Sequence, residues 1–123
     1  MANDLYRGLL SRLPESSGFI YWRDRFRVSQ CAGDAEGTRN LANEIAWLFI
    51  ISEEYLNKGR NNPEYVEDLY DAILRRTGDA SGILFWVNGL ADGDFSREWA
   101  LASFTASSEF QGRVDAVISA GCF

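Results

Sequence analysis

The chain repeats itself, and that constrains its fold more than any other feature. Asp4-Leu5-Tyr6 returns as Asp68-Leu69-Tyr70, an offset of 64 residues. The same offset aligns Leu10 with Leu74, Arg12 with Arg76, Ser17 with Ser81, Gly18 with Gly82 and Trp22 with Trp86. These are eight identities over nineteen positions, where chance gives about one. Farther on the offset falls to 55, with Phe49 against Phe104, Ser52 against Ser107, Glu54 against Glu109 and Tyr55 against Phe110. The first copy is therefore nine residues longer, and the extra residues fall within about 27–40. Repeat one covers about 2–58 and repeat two about 63–113; residues 114–123 end a C-terminal helix or begin a further repeat.

The apolar spacing within each copy is helical. Leu5, Tyr6, Leu9, Leu10 and Leu13 mark one helical face, and Leu69, Tyr70, Ile73 and Leu74 mark the same face in register. Asn62-Pro63-Glu64 reads as the start of the repeat-two helix: a capping Asn, Pro in the first turn, and an acid at the positive end of the dipole. Thr77-Gly78 is expected to end that helix, and Pro14 its counterpart. A second helix starts near Ser17 or Ser81, with Ile83, Trp86, Val87 and Leu90 as its stripe in repeat two, and Phe19, Trp22 and Phe26 in repeat one. The third runs from about Thr38 to Ile51 and from Ser96, a natural N-cap, to about Ala106. Phe110, Val114, Val117 and Ile118 suggest a last helix. No stretch alternates with period two. The predicted fold is all-α: one compact domain of two tandem three-helix repeats plus a C-terminal helix.

Several chemistries are excluded by residue type. The chain has no histidine, so the commonest general base and metal ligand are absent. Twelve basic residues face eighteen acidic ones, which argues against phosphate contacts and hence against nucleic acid as a partner. No apolar run approaches the roughly 20 residues of a membrane span, and no basic stretch precedes an apolar block as in a signal peptide. Direct membrane insertion is not expected. Cys31 and Cys122 lie outside any zinc or redox motif; two free thiols are the default and a single bridge the alternative. Asp92-Gly93-Asp94 lacks the acidic series of a calcium loop. No cofactor, no metal and no catalytic residue is assigned, and an enzyme is not expected.

The repeated residues have structural readings first. Trp22 and Trp86 read as core anchors, with sugar-stacking platforms as the alternative. Gly18 and Gly82, four residues earlier, imply close approach of another segment or a backbone that a side chain would disfavour. Tyr6, Tyr70 and Phe110 complete the repeated set. Arg12 and Arg76 end the first helices, and we predict that they pair with Glu54 and Glu109, tying the start of each repeat to its end. Outside the repeat, Arg23 and Arg27 share a helical face in the one basic cluster. Asp34 and Glu36 lie in a Gly-bounded segment, read as a loop, that repeat two lacks. These four are the candidate interaction residues.

The pattern Asp68-Leu69-Tyr70, Leu74-x-Arg76, Asp79-x-x-Gly82, Phe85-Trp86-Val87, Gly93, Ser96, Arg97 and Ser107-x-Glu109-Phe110 resembles a bacterial family known as domain of unknown function 4214. The resemblance covers nearly all of residues 64–113; repeat one follows it with gaps, Glu15 standing at the usual acid position. The pattern is also similar to the helical linker domain of cyanobacterial phycobilisome rods. The resemblance implies an α-helical, non-enzymatic scaffold or protein-interaction module. It further implies an extracellular or cell-surface setting within a larger protein, with a protein partner. The alternative reading is a carbohydrate-binding module in which some of the 17 aromatics stack on sugar faces.

Overall fold

Both repeats open with a helix that widens at its end. In a computed structural model describing residues 1–12 and 16–121, the side chains of Asn3, Ser16, Ser17 and Phe19 excepted, α1 (Ala2–Leu5) runs into π1 (Tyr6–Leu10). At the same repeat position α5 (Asn62–Leu69) runs into π2 (Tyr70–Leu74). Repeat one continues through α2 (Ser16–Cys31), α3 (Ala35–Ile50) and the single turn α4 (Glu53–Leu56). Repeat two continues through α6 (Ala80–Asp92), α7 (Arg97–Thr105) and α8 (Ser108–Ser119). Among the described residues there is no strand, and the chain is all-α.

The helix boundaries correct several sequence expectations. The cap of α5 is Asn61, not Asn62. Its Oδ1 accepts from the Glu64 backbone N–H at 2.9 Å, while Glu64 Oε1 accepts from the Asn61 N–H at 3.0 Å. This reciprocal box needs three residues between its ends, a spacing that Asn61 meets and Asn62 does not. The first helices do not run to Thr77-Gly78. They stop where Ser11 (φ 56°) and Arg75 (φ 55°) turn left-handed. In the second, Tyr70 O accepts from the N–H of both Arg75 and Arg76, closing the last turn as helix ends commonly close. Pro14, read as a helix stop, lies outside the described residues, as do Leu13, Glu15 and Cys122.

The repeat-one insertion is helical rather than a loop. α2 is three residues longer than α6, α3 is seven longer than α7, and the turn between them is one shorter, which accounts for the nine extra residues. What separates α2 from α3 is a tight turn, Ala32-Gly33-Asp34, with Gly33 at φ 67°. Each copy also has a fourth element: α4, which was not expected, and α8, the C-terminal helix read from Phe110, Val114, Val117 and Ile118. Both start with a serine cap: Ser52 Oγ accepts from the Tyr55 N–H, Ser107 Oγ from the Phe110 N–H. α4 stops after one turn at Asn57-Lys58-Gly59, with Gly59 at φ 62°.

The core lies where the two repeats meet. Leu9, Ile45, Tyr65, Val66, Leu69, Ile73, Ala100 and Leu101 are fully buried. α3 packs on α2 and α7, α5 on α6, and π1 against π2. Each buried Leu or Ile contributes about 1.5–3 kcal/mol of transfer free energy. At the centre Gly8 faces Ala72, its own repeat equivalent. A Cβ on Gly8 would stand 2.5 Å from the Ala72 Cβ and 2.6 Å from its Cα. Polar links reinforce the junction: Arg113 donates to Asp4 at 3.0 Å, and Arg60 makes two bonds to Asp68, at 3.0 and 2.9 Å. Asp4 and Asp68 are equivalent positions, so each repeat's opening helix is held through the same carboxylate.

Candidate interaction surface

The repeated polar residues form one clamp, built twice. Arg12 Nε donates to Glu54 Oε2 at 2.8 Å and its NH2 to Oε1 at 3.1 Å. Arg76 does the same to Glu109, at 2.7 and 3.0 Å. Each guanidinium also lies over its repeat's tyrosine ring, 5.1 Å from the centre of Tyr6 and 5.0 Å from that of Tyr70. Both predicted pairs thus form, as planar bidentate contacts that suit Arg and not Lys. The Arg76 bonds hold the Glu109 carboxyl below the usual carboxylate range. A second cation in each copy satisfies an orphan carbonyl at the end of the π-turn. Lys58 Nζ donates to Leu9 O at 3.1 Å, and Arg113 to Ile73 O. Lys58 and Arg113 are equivalent, so a turn read as merely polar in sequence is part of the repeated architecture.

Gly82 is fixed by close approach. A Cβ there would stand 2.5 Å from the Tyr70 hydroxyl oxygen. Asp79 caps α6 beside it, accepting from Ser81 Oγ at 2.8 Å and the Gly82 N–H at 3.0 Å; these bonds depress its pKa, the Ser81 bond most. Gly18 occupies the equivalent third residue of α2. Buried phenols sit at the junction: burial first, then the bond from its hydroxyl to Asp68 (2.6 Å), raises the Tyr55 pKa, and burial raises that of Tyr65. Phe110 is buried in the core.

Trp22 and Trp86 pack against the core but are only partly buried. Trp22 meets Phe49 edge-on at 6.4 Å, and Trp86 meets Phe104 at 5.0 Å. From Trp86 a ring cluster continues outward. Phe85 lies 5.1 Å and Phe95 5.4 Å from it, and Trp99 stacks on Phe95 at 5.0 Å with the planes 28° apart. Phe85 is 61% and Trp99 53% exposed, with Leu84 at 59% beside them. Phe95 rests on the backbone of Gly89, where any Cβ would overlap its ring. Sequence reasoning missed this face. The available signal was that Leu84 and Phe85 lie off the Ile83–Trp86–Val87–Leu90 stripe, and that apolar residues off the buried stripe mark surface patches.

The four sequence-chosen interaction residues do not gather at one place. Arg23 pairs with Asp24 at 3.2 Å, and Arg27 is exposed on α2. Asp34 caps α3, accepting from the Gly37 N–H at 2.8 Å, which is a structural role. Glu36 lines a surface cavity of ≈ 270 Å³ with Arg39, Gln111 and Asp115. A larger shallow groove of ≈ 440 Å³ lies between α2 and α3, lined by Arg25, Val28, Ala32, Leu41 and Glu44 among others. Asp92-Gly93-Asp94 ends α6, with Gly93 left-handed at φ 75°. Among the described residues no three Cys, Asp or Glu side chains gather as a metal site, and no helix is long and apolar enough to cross a membrane. Cys31 is disulfide-bonded, which corrects the expectation of free thiols. Gln30, its neighbour, donates to the carbonyls of Val117 (3.2 Å) and Gly121 (2.7 Å), drawing the end of α2 to the end of α8.

Compared with known proteins, residues 46–114 match the family described as Domain of unknown function (DUF4214). The match takes in the end of repeat one, the junction and all of the second clamp. No curated protein and no solved structure matches the chain.

Proposed function

The chain belongs to the DUF4214 family, and on that premise we propose that it is a non-enzymatic interaction module that holds a protein partner within a larger bacterial surface or secreted protein. The observation that carries the reading is the aromatic face of Leu84, Phe85, Trp86, Phe95 and Trp99. A contiguous, half-exposed set of large rings seated on a rigid core is the composition of a protein-binding hot spot. The clamps and capped helices spend the repeated polar residues on architecture, which leaves this face as the outstanding surface feature. The absence of histidine supports a non-catalytic role. The disulfide at Cys31 supports an oxidising setting outside the cytosol.

The second reading is carbohydrate binding. Trp99, stacked on Phe95 yet 53% exposed, offers a ring face of the kind that sugars use. One experiment separates the two. The intact chain and a Phe85→Ser/Trp99→Ser variant are used to capture proteins from extract and surface fractions of the source cells, with a glycan array alongside. The protein reading expects a discrete partner that the variant releases at least ~30-fold more readily, the effect of losing about 2 kcal/mol of hot-spot contact. Glycan binding lost in the variant would replace the first reading with the second. Capture unchanged by the variant would refute the assignment of this face.

A further inference from the structure

We propose that the second half of α8 is a strap that crosses from repeat two onto repeat one and is latched there by oxidation of Cys31. The strap uses none of the aromatic-face residues, so the inference goes beyond the interaction reading. It starts from two segments that the duplicated pattern does not need. α2 outlasts its counterpart α6 by Ser29, Gln30 and Cys31. α8 runs twelve residues where its counterpart α4 runs four. These two extensions meet each other. Gln30 Nε2 donates to Val117 O at 3.2 Å and to Gly121 O at 2.7 Å, taking up carbonyls that the end of a helix leaves without partners. Cys31, the next residue, is disulfide-bonded, and the one other cysteine in the sequence is Cys122, directly after Gly121. The latch therefore joins the end of α2 to the chain just past α8.

The two halves of α8 are held very differently. The first half is fixed by the fold itself: Glu109 takes the Arg76 clamp, Phe110 and Val114 are buried, and Arg113 bonds Asp4 and the Ile73 carbonyl. Past Val114 that anchorage ends. Asp115, Ala116, Ser119 and Ala120 are exposed, and Val117 and Ile118 are only half-buried. A helix end with so little buried surface opens locally at small cost, whereas a buried core opens only with the whole molecule. The neutral bonds from Gln30 add little against such fraying, while a covalent tie forbids the separation. The family match also ends at Val114 and does not reach back to α2, so the strap and both α2 residues of the latch lie outside the matched unit.

Closing the latch takes two thiols to one disulfide. Two electrons and two protons pass to an oxidant of the disulfide class, which leaves as a dithiol; opening is the reverse exchange with a dithiol reductant. Cys31 is exposed, so either reagent can reach it. Latched, α2 of repeat one and α8 of repeat two are tied across the junction that Arg113 and Asp4 also bridge. Unlatched, the strap lifts from Val114 onward and uncovers Val117 and Ile118 together with the end of α2. The fold stays intact in both states, and its last turns alone follow the thiol state.

The test compares the full chain, oxidised and after treatment with dithiothreitol, by backbone hydrogen exchange under native conditions, with Cys31→Ser alongside. Reduction should speed exchange over residues 116–121 at least ~10-fold and change it less than ~2-fold over 97–114, because only the strap depends on the latch. Cys31→Ser should match the reduced natural chain and be indifferent to reductant. Equal protection of 116–121 in the two states, or a Cys31→Ser chain as protected there as the oxidised one, would overturn the proposal. Loss of protection in every helix on reduction would overturn it too, since the bridge would then staple the whole fold. None of these outcomes depends on a partner, so capture by the aromatic face is judged separately.

Discussion

Replacing Gly8 by alanine tests whether the two repeats meet as tightly as their π-turns indicate. In an ordinary helix interior the change should stabilise by about 1 kcal/mol, because Ala has the better helix propensity. Here the new Cβ would lie 2.5 Å from Ala72 Cβ, 2.6 Å from its Cα and 2.8 Å from its N. Carbon atoms in contact normally sit about 3.5–4.0 Å apart, so the two helices must part by about 1 Å. The obstacle is backbone, which cannot swing aside as a side chain can. Separation would loosen Leu9 and Ile73, both fully buried next to the contact. Overpacking of this kind costs about 1–3 kcal/mol, and we take the upper half of that range. Set against the propensity gain, the net loss is about 1–2 kcal/mol, or about 4–8 °C in Tm for a chain of this size. Gly112→Ala is the internal control: it too lies inside a helix, α8, but its Cβ would meet nothing within 4 Å. Thermal and urea unfolding should therefore show opposite signs for the two substitutions. A Gly8→Ala chain as stable as Gly112→Ala, or more so, would refute the close junction.

Three further expectations follow from the same geometry. A double-mutant cycle on Arg12 and Glu54, 38% and 42% exposed, should give a coupling below about 1 kcal/mol; about 3 kcal/mol or more would mean that the clamp is desolvated in solution. Tyr55 and Tyr65 have folded pKa values raised above the ordinary phenol range by burial. Their contribution to stability is therefore complete below about pH 10 and is lost as pH rises towards the folded values. Two of the five tyrosines should ionise only as the helical circular dichroism collapses, and early ionisation with helicity intact would contradict that burial. Denatured without reductant, the chain should yield no free thiol at Cys31, whereas a full equivalent by thiol titration would show that the bridge does not form.

The clamps were legible because duplication conserves geometry: Arg12 and Glu54 recur together as Arg76 and Glu109, and residues that recur as a pair serve the same contact twice. Helix caps such as Ser96 were legible because a cap acts over three residues. The cap at Asn61 was misplaced by one because two asparagines adjoin, and only the reciprocal bond with Glu64 chooses between them. The repeat-one insertion looked like a loop because Gly33 and Gly37 suggest breaks. Yet Gly37 sits inside α3, where its N–H meets the Asp34 cap, and only Gly33 turns the chain. The chosen interaction residues scattered for a similar reason: charge in a sequence does not say whether it is spent on a cap, a neighbour or solvent.

Local rules and self-similarity were enough, by sequence alone, to determine an all-helical chain, a duplicated motif and the pairing that closes each copy. Tertiary structure alone decided the rest: the π-turns that bring Gly8 onto Ala72, the disulfide at Cys31, and the exposure of Phe85 and Trp99. Those features depend on which helix faces lie against one another. That choice is made by packing between segments tens of residues apart, where periodicity carries no information. An aromatic on a helix looks the same in sequence whether the next helix covers it or leaves it bare.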